Sequence, residues 1–167
     1  MKIRLELPTD ADAVRAVNQA AFEKNTEADL VDLLREQASP IISLVAEDAG
    51  SIKGHILFSP VTLLGHPSLK IMGLAPMAVL PDHQRRGIGS ALVRAGLDAC
   101  RQFGFGAVIV LGHAEYYPRF GFQPALRFGI KCEYDVPDDV FMALELLPSA
   151  MAGKSGTIRY HPAFANA

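Results

Sequence analysis

The stretch Lys70-Ile-Met-Gly-Leu-Ala-Pro-Met-Ala-Val-Leu80, continued by Pro81-Asp-His-Gln-Arg-Arg-Gly-Ile-Gly-Ser90 and an amphipathic run to Phe103, decides the fold. Its first part is apolar and reads as a buried strand, which Pro81-Asp82 ends. Gln84-Arg-Arg-Gly-Ile-Gly89 then turns the chain, and Ser90 to Phe103 has helical spacing. Ile88, Leu92, Ala95, Ala99 and Phe103 fall on one face, and Gly104 stands where a left-handed C-cap residue belongs. A helix entered through glycines presents free backbone N–H groups and the positive end of its dipole, which suits a phosphate or pyrophosphate. The glycines let a ligand reach the backbone, and Arg85 and Arg86 add positive charge at the rim.

Three phosphate-binding patterns compete for this turn. A dinucleotide fingerprint needs Gly or Ala where Leu92 stands, and the acidic residue expected about 20 residues further on is missing. A P-loop fails because the only Gly-Lys-Ser is Gly153 to Ser155, with Pro148 in the place of the first glycine. What fits is Gln84-x-x-Gly-x-Gly89 directly after an apolar strand, which resembles the acetyl-CoA motif of the GNAT N-acetyltransferases. A second stretch carries the same resemblance. Ala107-Val-Ile-Val-Leu111 reads as another buried strand and leads into Gly112-His-Ala-Glu-Tyr-Tyr-Pro-Arg-Phe-Gly-Phe122. The family pattern ends in Tyr-x-x-x-Gly-Phe after this strand, and Tyr117 lies four residues before Gly121-Phe122. The fuller wording resembles a bacterial branch of the family known as predicted acetyltransferases. In one place the chain departs from the pattern. Many members carry Asn seven residues before the tyrosine, where this chain has Val110, so an Asn contact to the cofactor is not carried over.

Composition sets the bounds. The 167 residues suffice for one domain with a real core, and a single domain over residues 1–167 is expected. Half the residues are apolar and 20% charged, with a net charge of −2. No basic stripe exceeds the Arg85-Arg86 pair, which argues against nucleic-acid binding. Cys100 and Cys132 have no Cys-x-x-Cys spacing and suit a reducing compartment. Met1-Lys-Ile-Arg-Leu-Glu-Leu7 is a charged alternating strand rather than a signal peptide, and the longest apolar runs are too short to span a bilayer. A cytoplasmic protein with no membrane partner is expected. The histidines His55, His66, His83 and His161 show no ligand spacing, and His113-Ala-Glu115 lacks the Pro-Cys-x-x-Cys of a deaminase zinc site, so no metal is expected. No Gly-x-Ser-x-Gly elbow occurs.

In chain order, Ile3, Leu5 and Leu7 alternate with charged residues as a half-buried first strand. Pro8-Thr9-Asp10 starts a helix, with Thr9 and Asp12 in capping-box-like spacing and Ala13, Val14, Val17, Ala20 and Ala21 inward. A second helix runs from about Glu27 to Gln37 with Leu30, Leu33 and Leu34 inward. Ile41 to Glu47 and Ile52 to Leu64 form an antiparallel hairpin through Asp48-Ala-Gly-Ser51, and Gly65-His-Pro-Ser68 is a second turn. Pro76 lacks an N–H and implies a bulge or a local loss of pairing in the central strand. Phe128 to Tyr134 and Val140 to Leu147 read as two more strands, and the aromatics of the tail dock on the domain.

The resemblance implies a GNAT acyl-CoA N-acyltransferase fold of the α/β (α+β) class, a mixed and mostly antiparallel sheet of about seven strands flanked by about four helices. It implies an acetyltransferase that moves acetyl from acetyl-CoA, its cosubstrate, directly to a primary amine of a small molecule or peptide. The family splays the strands corresponding to 70–80 and 107–111, and pantetheine fills the gap. Met77, Ala78 and Val79 would then meet pantetheine, with an N–H near Ala78 or Val79 receiving the oxyanion. Gln84, Arg85, Arg86, Gly87, Ile88, Gly89 and Ser90 would hold the pyrophosphate. Tyr117 would protonate the leaving thiolate, while Tyr116, five residues before Gly121, should face away. A lysine-like amine is neutral in only about one molecule per 2,500 at pH 7, so the reaction needs a proton acceptor. Glu27, Glu47, Glu115 or a water relay stay open for that role, as does any part for His113. Two other readings also stay open: a catalytically silent GNAT-like sensor of CoA or another ligand, and a nucleotide-binding α/β domain of another class. A monomer and a homodimer fit equally.

Overall fold

The computed structural model describes residues 1–166. Among them are nine strands, three α-helices and five short 3-10 turns. The chain divides into two compact units, one built from Met1–Ser59, Ala75–Gly96 and the stretch from Pro162 onward, the other from Pro60–Leu74 and Leu97–His161. No helix among the described residues is long and apolar enough to cross a membrane.

In the first unit, β1 (Lys2–Leu5) pairs antiparallel with β2 (Ile42–Asp48), and β2 pairs antiparallel with β3 (Ser51–Leu63). The hairpin between β2 and β3 closes tightly, with Asp48 opposite Ser51 and Ala49 and Gly50 both at positive φ, as its turn composition requires. Helices α1 (Ala11–Ala21) and α2 (Thr26–Gln37) bury Val14, Leu30, Val31 and Leu34 in one cluster with Val45 and Leu57. Ala163 and Phe164 of the tail join this cluster, so the docking expected of the tail's aromatics is found.

The entry to α1 differs from the Thr9–Asp12 box. The chain passes first through a 3-10 turn, Pro8–Asp10, and Asp10 caps it by accepting the Leu7 N–H at 2.7 Å. The tighter turn brings the carboxylate back one turn earlier than an α-helical start would. Arg4 adds two more bonds to Asp10 and one to Glu47, and its guanidinium holds the Asp10 carboxyl below the usual carboxylate range.

A directed polar chain lies inside this unit. One Asn18 Nδ2–H donates to the Val14 carbonyl at 3.0 Å, and the other donates to His55 Nδ1 at 3.1 Å. Ser43 gives its hydroxyl hydrogen to Glu6 Oε1 at 2.5 Å, so its 2.9 Å bond with His55 Nε2 must be donated by the imidazole. Arg35 closes the chain on Glu6 Oε2 at 2.6 Å. His55 is therefore held as the neutral Nε2–H tautomer, and burial, helped by the Arg35 charge, pushes its pKa down to about 3.

In the second unit, the first half of β4 (Ile71–Val79) pairs parallel with β5 (Ala107–Leu111), from Ile71 opposite Ala107 to Leu74 opposite Val110. The pairing ends just before Ala75-Pro76, in keeping with the loss expected at a residue without an N–H. On its other edge β5 takes β8 (Phe141–Glu145) antiparallel, and β8 takes the short β6 (Gln123–Pro124). The tail supplies β9 (Gly156–Arg159), antiparallel to the end of β3 and parallel to β7 (Ile130–Cys132). Sequence reading had put one strand over Phe128 to Tyr134. Instead Ala125–Phe128 forms a 3-10 turn and Gly129 a left-handed cap, leaving three residues of strand. Helix α3 (Ile88–Gln102) begins in the first unit and ends in the second. Gly104 closes it at φ +86° with the Phe105 N–H on the Cys100 carbonyl, as expected. Phe103, expected on the buried face, lies past the helix end and is 59% exposed.

Since His55 is neutral when folded and takes up a proton near its ordinary pKa when unfolded, its contribution to stability is present above about pH 6.5 and is lost as pH falls towards about 3. The urea midpoint of the native chain is expected to fall over that window, and that of His55→Gln, referred to its own value at pH 7, to fall less. Parallel curves would show that His55 does not carry the acid sensitivity.

Candidate active site

Strand β4 runs out at Val79 and a 3-10 turn, Pro81–His83, carries the chain to Gln84. Gln84 folds back, its Nε2 donating to the Val79 carbonyl at 3.0 Å, so the side chain expected at the cofactor also ties the turn to the strand end. Arg85 follows at φ +64°, a left-handed conformation that costs a non-glycine residue roughly 1–2 kcal/mol. Gly87 is at φ +84°, and its carbonyl accepts the Ala91 N–H, which makes it the residue that opens α3. A Cβ at Gly87 would meet nothing within 4 Å. The positive φ, not crowding, is what requires glycine there. Exposed Arg85, Arg86 and Gly87 lead directly into the positive end of the α3 dipole. Ile88 is buried against Gly54, so only its backbone faces a ligand.

The alternation of β4 sorts Met77, Ala78 and Val79. The Leu80 N–H bonds the Lys53 carbonyl of β3 at 2.9 Å, and the Ala78 carbonyl lies beside Gly54 of the same strand. Polar groups of a strand alternate edges, so those of Ala78 point to β3 and the N–H groups of Met77 and Val79 point to the opposite edge. Of the two expected oxyanion donors, Val79 has the N–H directed away from β3.

In the second unit, β5 leads through Gly112 to a 3-10 turn, Tyr117–Phe120, that starts with Pro118 in its first turn and ends at Gly121, φ +100°. Pro118 and Gly121 bound this single turn. Tyr117 is buried, with its ring edge-on to Tyr116 at 5.1 Å and to Phe122 at 5.7 Å between centroids. Tyr116 does not turn away as expected. Its ring walls that of Tyr117, and the Arg119 guanidinium covers it at 4.5 Å. The Tyr117 ring also rests on Gly112, where an added Cβ would come within 2.8 Å of Cδ2. Burial pushes the Tyr117 pKa up to about 12, so the phenol keeps its proton through the neutral range.

A strand running into a glycine-entered helix, followed by a second strand and a buried tyrosine before Gly-Phe, is the arrangement matched by the model of the acetyltransferase (GNAT) family over residues 11–122. The chain belongs to the GNAT family. It is 37% identical to the uncharacterized N-acetyltransferase YhbS of Escherichia coli K12 over 165 residues, 98% of each chain. The crystal structure of YhbS from Escherichia coli in complex with CoA superposes with a TM-score of 0.93 at 36% identity, covering 98% of this chain and 91% of that one. A GNAT acetyltransferase from Brucella melitensis in complex with acetyl-CoA gives a TM-score of 0.81 at 37% identity, covering 98% and 97%. The fold is therefore the GNAT fold, α/β with a mixed, mostly antiparallel sheet, and the chain is an acyltransferase.

Among the carboxylates considered as proton acceptors for this GNAT enzyme, Glu47 is engaged by Arg4 at 2.8 Å. Glu27 sits half-buried in the first turn of α2. Glu115 is exposed and, with His113, lines a cavity of about 560 Å³ at the end of β5. Sequence reasoning missed Gly112. The glycine was visible, but its reason is a ring five residues further on, and no local pattern announces it.

Gly112→Ala is expected to destabilise the chain by about 1–3 kcal/mol through overpacking against the Tyr117 ring, read from urea midpoints. In a Tyr117→Ala background, where the ring is gone, the same substitution should cost far less. Additive costs would show that the ring is not what Gly112 accommodates.

Proposed function

We propose that the chain, as one catalytic domain over residues 1–167, moves the acetyl group of acetyl-CoA directly to a primary amine. The observation that carries this reading is the entry to α3, where Arg85 and Gly87, both at positive φ, lead a basic turn into the positive end of the helix dipole, which suits a pyrophosphate. Relatives at 36% and 37% identity that were crystallised with CoA and with acetyl-CoA support the same ligand here.

Each residue then has a physical task. The backbone from Gly87 to Ser90 and the charges of Arg85 and Arg86 hold the pyrophosphate, and Gln84 keeps that turn fixed to β4. The N–H groups of Met77 and Val79, directed away from β3, meet pantetheine, with Val79 placed to take the developing oxyanion. Fixing these remote contacts in advance makes the attack effectively unimolecular. The amine lone pair forms the C–N bond, the nitrogen gives up a proton to a carboxylate or water relay, the C–S bond breaks, and the electron pair leaves on sulfur. Tyr117 answers that charge with its O–H. With its phenol at about 12 against a thiol near 8.5, complete proton transfer is uphill by roughly 5 kcal/mol, so its contribution begins as a hydrogen bond to the growing thiolate.

Acetyl-CoA and CoA, but not NAD or ATP, are expected to raise the thermal midpoint of cofactor-free protein, by roughly 2.7 kcal/mol at 100 times Kd. A shift with NAD or ATP alone would sink the reading. A shift with CoA and no transfer to any amine would make the chain a silent binder. Tyr117→Phe should lower kcat by about 10- to 100-fold and leave the acetyl-CoA Kd within about twofold. Unchanged turnover would remove the acid role.

A further inference from the structure

We infer that the acceptor is a monoamine on an apolar body, seated at the C-terminal end of β5 with its ammonium group on Glu115; this rests on the acetyl-transfer reading above. The cavity of about 560 Å³ there is within the size range of small-molecule sites. Gly112 is common to this cavity and to the seat of the Tyr117 ring, so an occupant lies next to the proposed proton donor. Leu111, Val136 and Val140 form an apolar wall, and Leu111, at the end of an otherwise buried strand, is left 37% exposed.

The wall is built, not incidental. Leu111 pairs with Phe141, the Gly112 N–H donates to the Val140 carbonyl at 3.0 Å, and the Val140 N–H returns to Pro137 at 3.3 Å. These bonds fix the loop that carries Val136 and Val140 against the strand end. The lining contains one carboxylate, Glu115, and one imidazole, His113, with no lysine or arginine. A single anionic group on an apolar surface complements one ammonium group and a hydrocarbon body. A polycation would have to lay its remaining charges on Val136, Val140 and Leu111 and lose their hydration without repayment. A neighbouring cavity of about 390 Å³ shares Val136 and offers Asp135 and Asp138, and Lys131, which lines it too, offsets one of their two charges. This makes a diamine the alternative occupant that the experiment must separate.

The test measures CoA release by the full-length protein with acetyl-CoA and four probes: leucine amide, 2-phenylethylamine, spermidine and kanamycin. The apolar monoamines are expected to exceed spermidine and kanamycin in kcat/KM by at least about tenfold. Glu115→Gln should raise the amine KM by about tenfold with the acetyl-CoA Kd unchanged, and Val136→Asp should move the preference towards spermidine. Both substitutions are at loop positions, and an unchanged thermal midpoint will show that the variants fold. Preference of the native protein for spermidine or kanamycin overturns the inference. So does an unchanged amine KM in Glu115→Gln, or no turnover of either monoamine by protein that acetyl-CoA still stabilises. Failure of the acetyl-transfer reading looks different: no stabilisation by acetyl-CoA or CoA and no CoA release with any amine, which overturns both.

Discussion

The first N–H groups of an α-helix cannot be satisfied within the helix, and the residue that opens α3 is not one of the usual capping Ser, Thr, Asp or Asn. Gly87 opens the helix in their place, and Arg85 accepts a left-handed backbone to bring the chain there. Gln84 spends its amide on Val79 rather than on the helix start. A cap would stabilise α3 by about 1 kcal/mol, and strain at Arg85 costs a comparable amount. A helix end of this kind, with the positive pole of its dipole behind two exposed arginines, is suited to an anion. The surrounding packing tolerates this because α3 is anchored by Ile88, Leu92, Val93, Leu97 and Cys100, all buried.

The same economy does not hold in the first unit's interior, where polar groups are matched almost one to one. The chain from Asn18 through His55 and Ser43 to Glu6 has a defined direction because Ser43 can donate only once. Arg35 then balances the Glu6 carboxylate, and Arg35 also reaches Asp32, which Arg15 of α1 bonds in turn. Side chains from α1, α2, β2 and β3 are linked through these bonds, together with the segment after β1. Among the described residues Asn18 Oδ1, Ser59 Oγ and His83 Nδ1 are the exceptions, buried without a partner on α1, β3 and the turn after β4. The consequence is an interior that specifies one arrangement of α1 and α2 rather than merely a hydrophobic fit.

What the sequence made legible follows the strength of local signals. Strand β5 was readable to the residue because a continuous apolar run ends at a glycine, and α3 because its apolar period persists to its last turn. Strand β7 keeps only three residues of the run from Phe128 to Tyr134 that reads as strand, and β9 begins with Gly156 and carries no alternation long enough to register, so their partnership is set by tertiary packing. The Asp10 cap lies two residues before the Asp12 of the expected box, because the chain makes a 3-10 turn over Pro8–Asp10 before α1 begins. At the site, Tyr117 stood out by its distance from Gly121-Phe122, and the turn from Gln84 to Ser90 by its glycines. The edge selection among Met77, Ala78 and Val79 was invisible, since it depends on which neighbour Leu80 bonds.

Burying Tyr117 has two opposed effects, and under the proposed acid role their balance says what kind of proton donor the residue would be. Desolvation raises its pKa to about 12, which secures the protonated form but weakens the acid. A donor that must give up its proton early would be better matched by an exposed phenol. A donor whose value lies in a fixed dipole gains from burial, because its position costs no reorganisation when charge appears on sulfur. The Gly112 seat and the walls of Tyr116 and Phe122 serve the second kind. The ring is held on three sides by contacts that restrict where the hydroxyl can be. Geometry, rather than proton affinity, is what this part of the chain has been built to control.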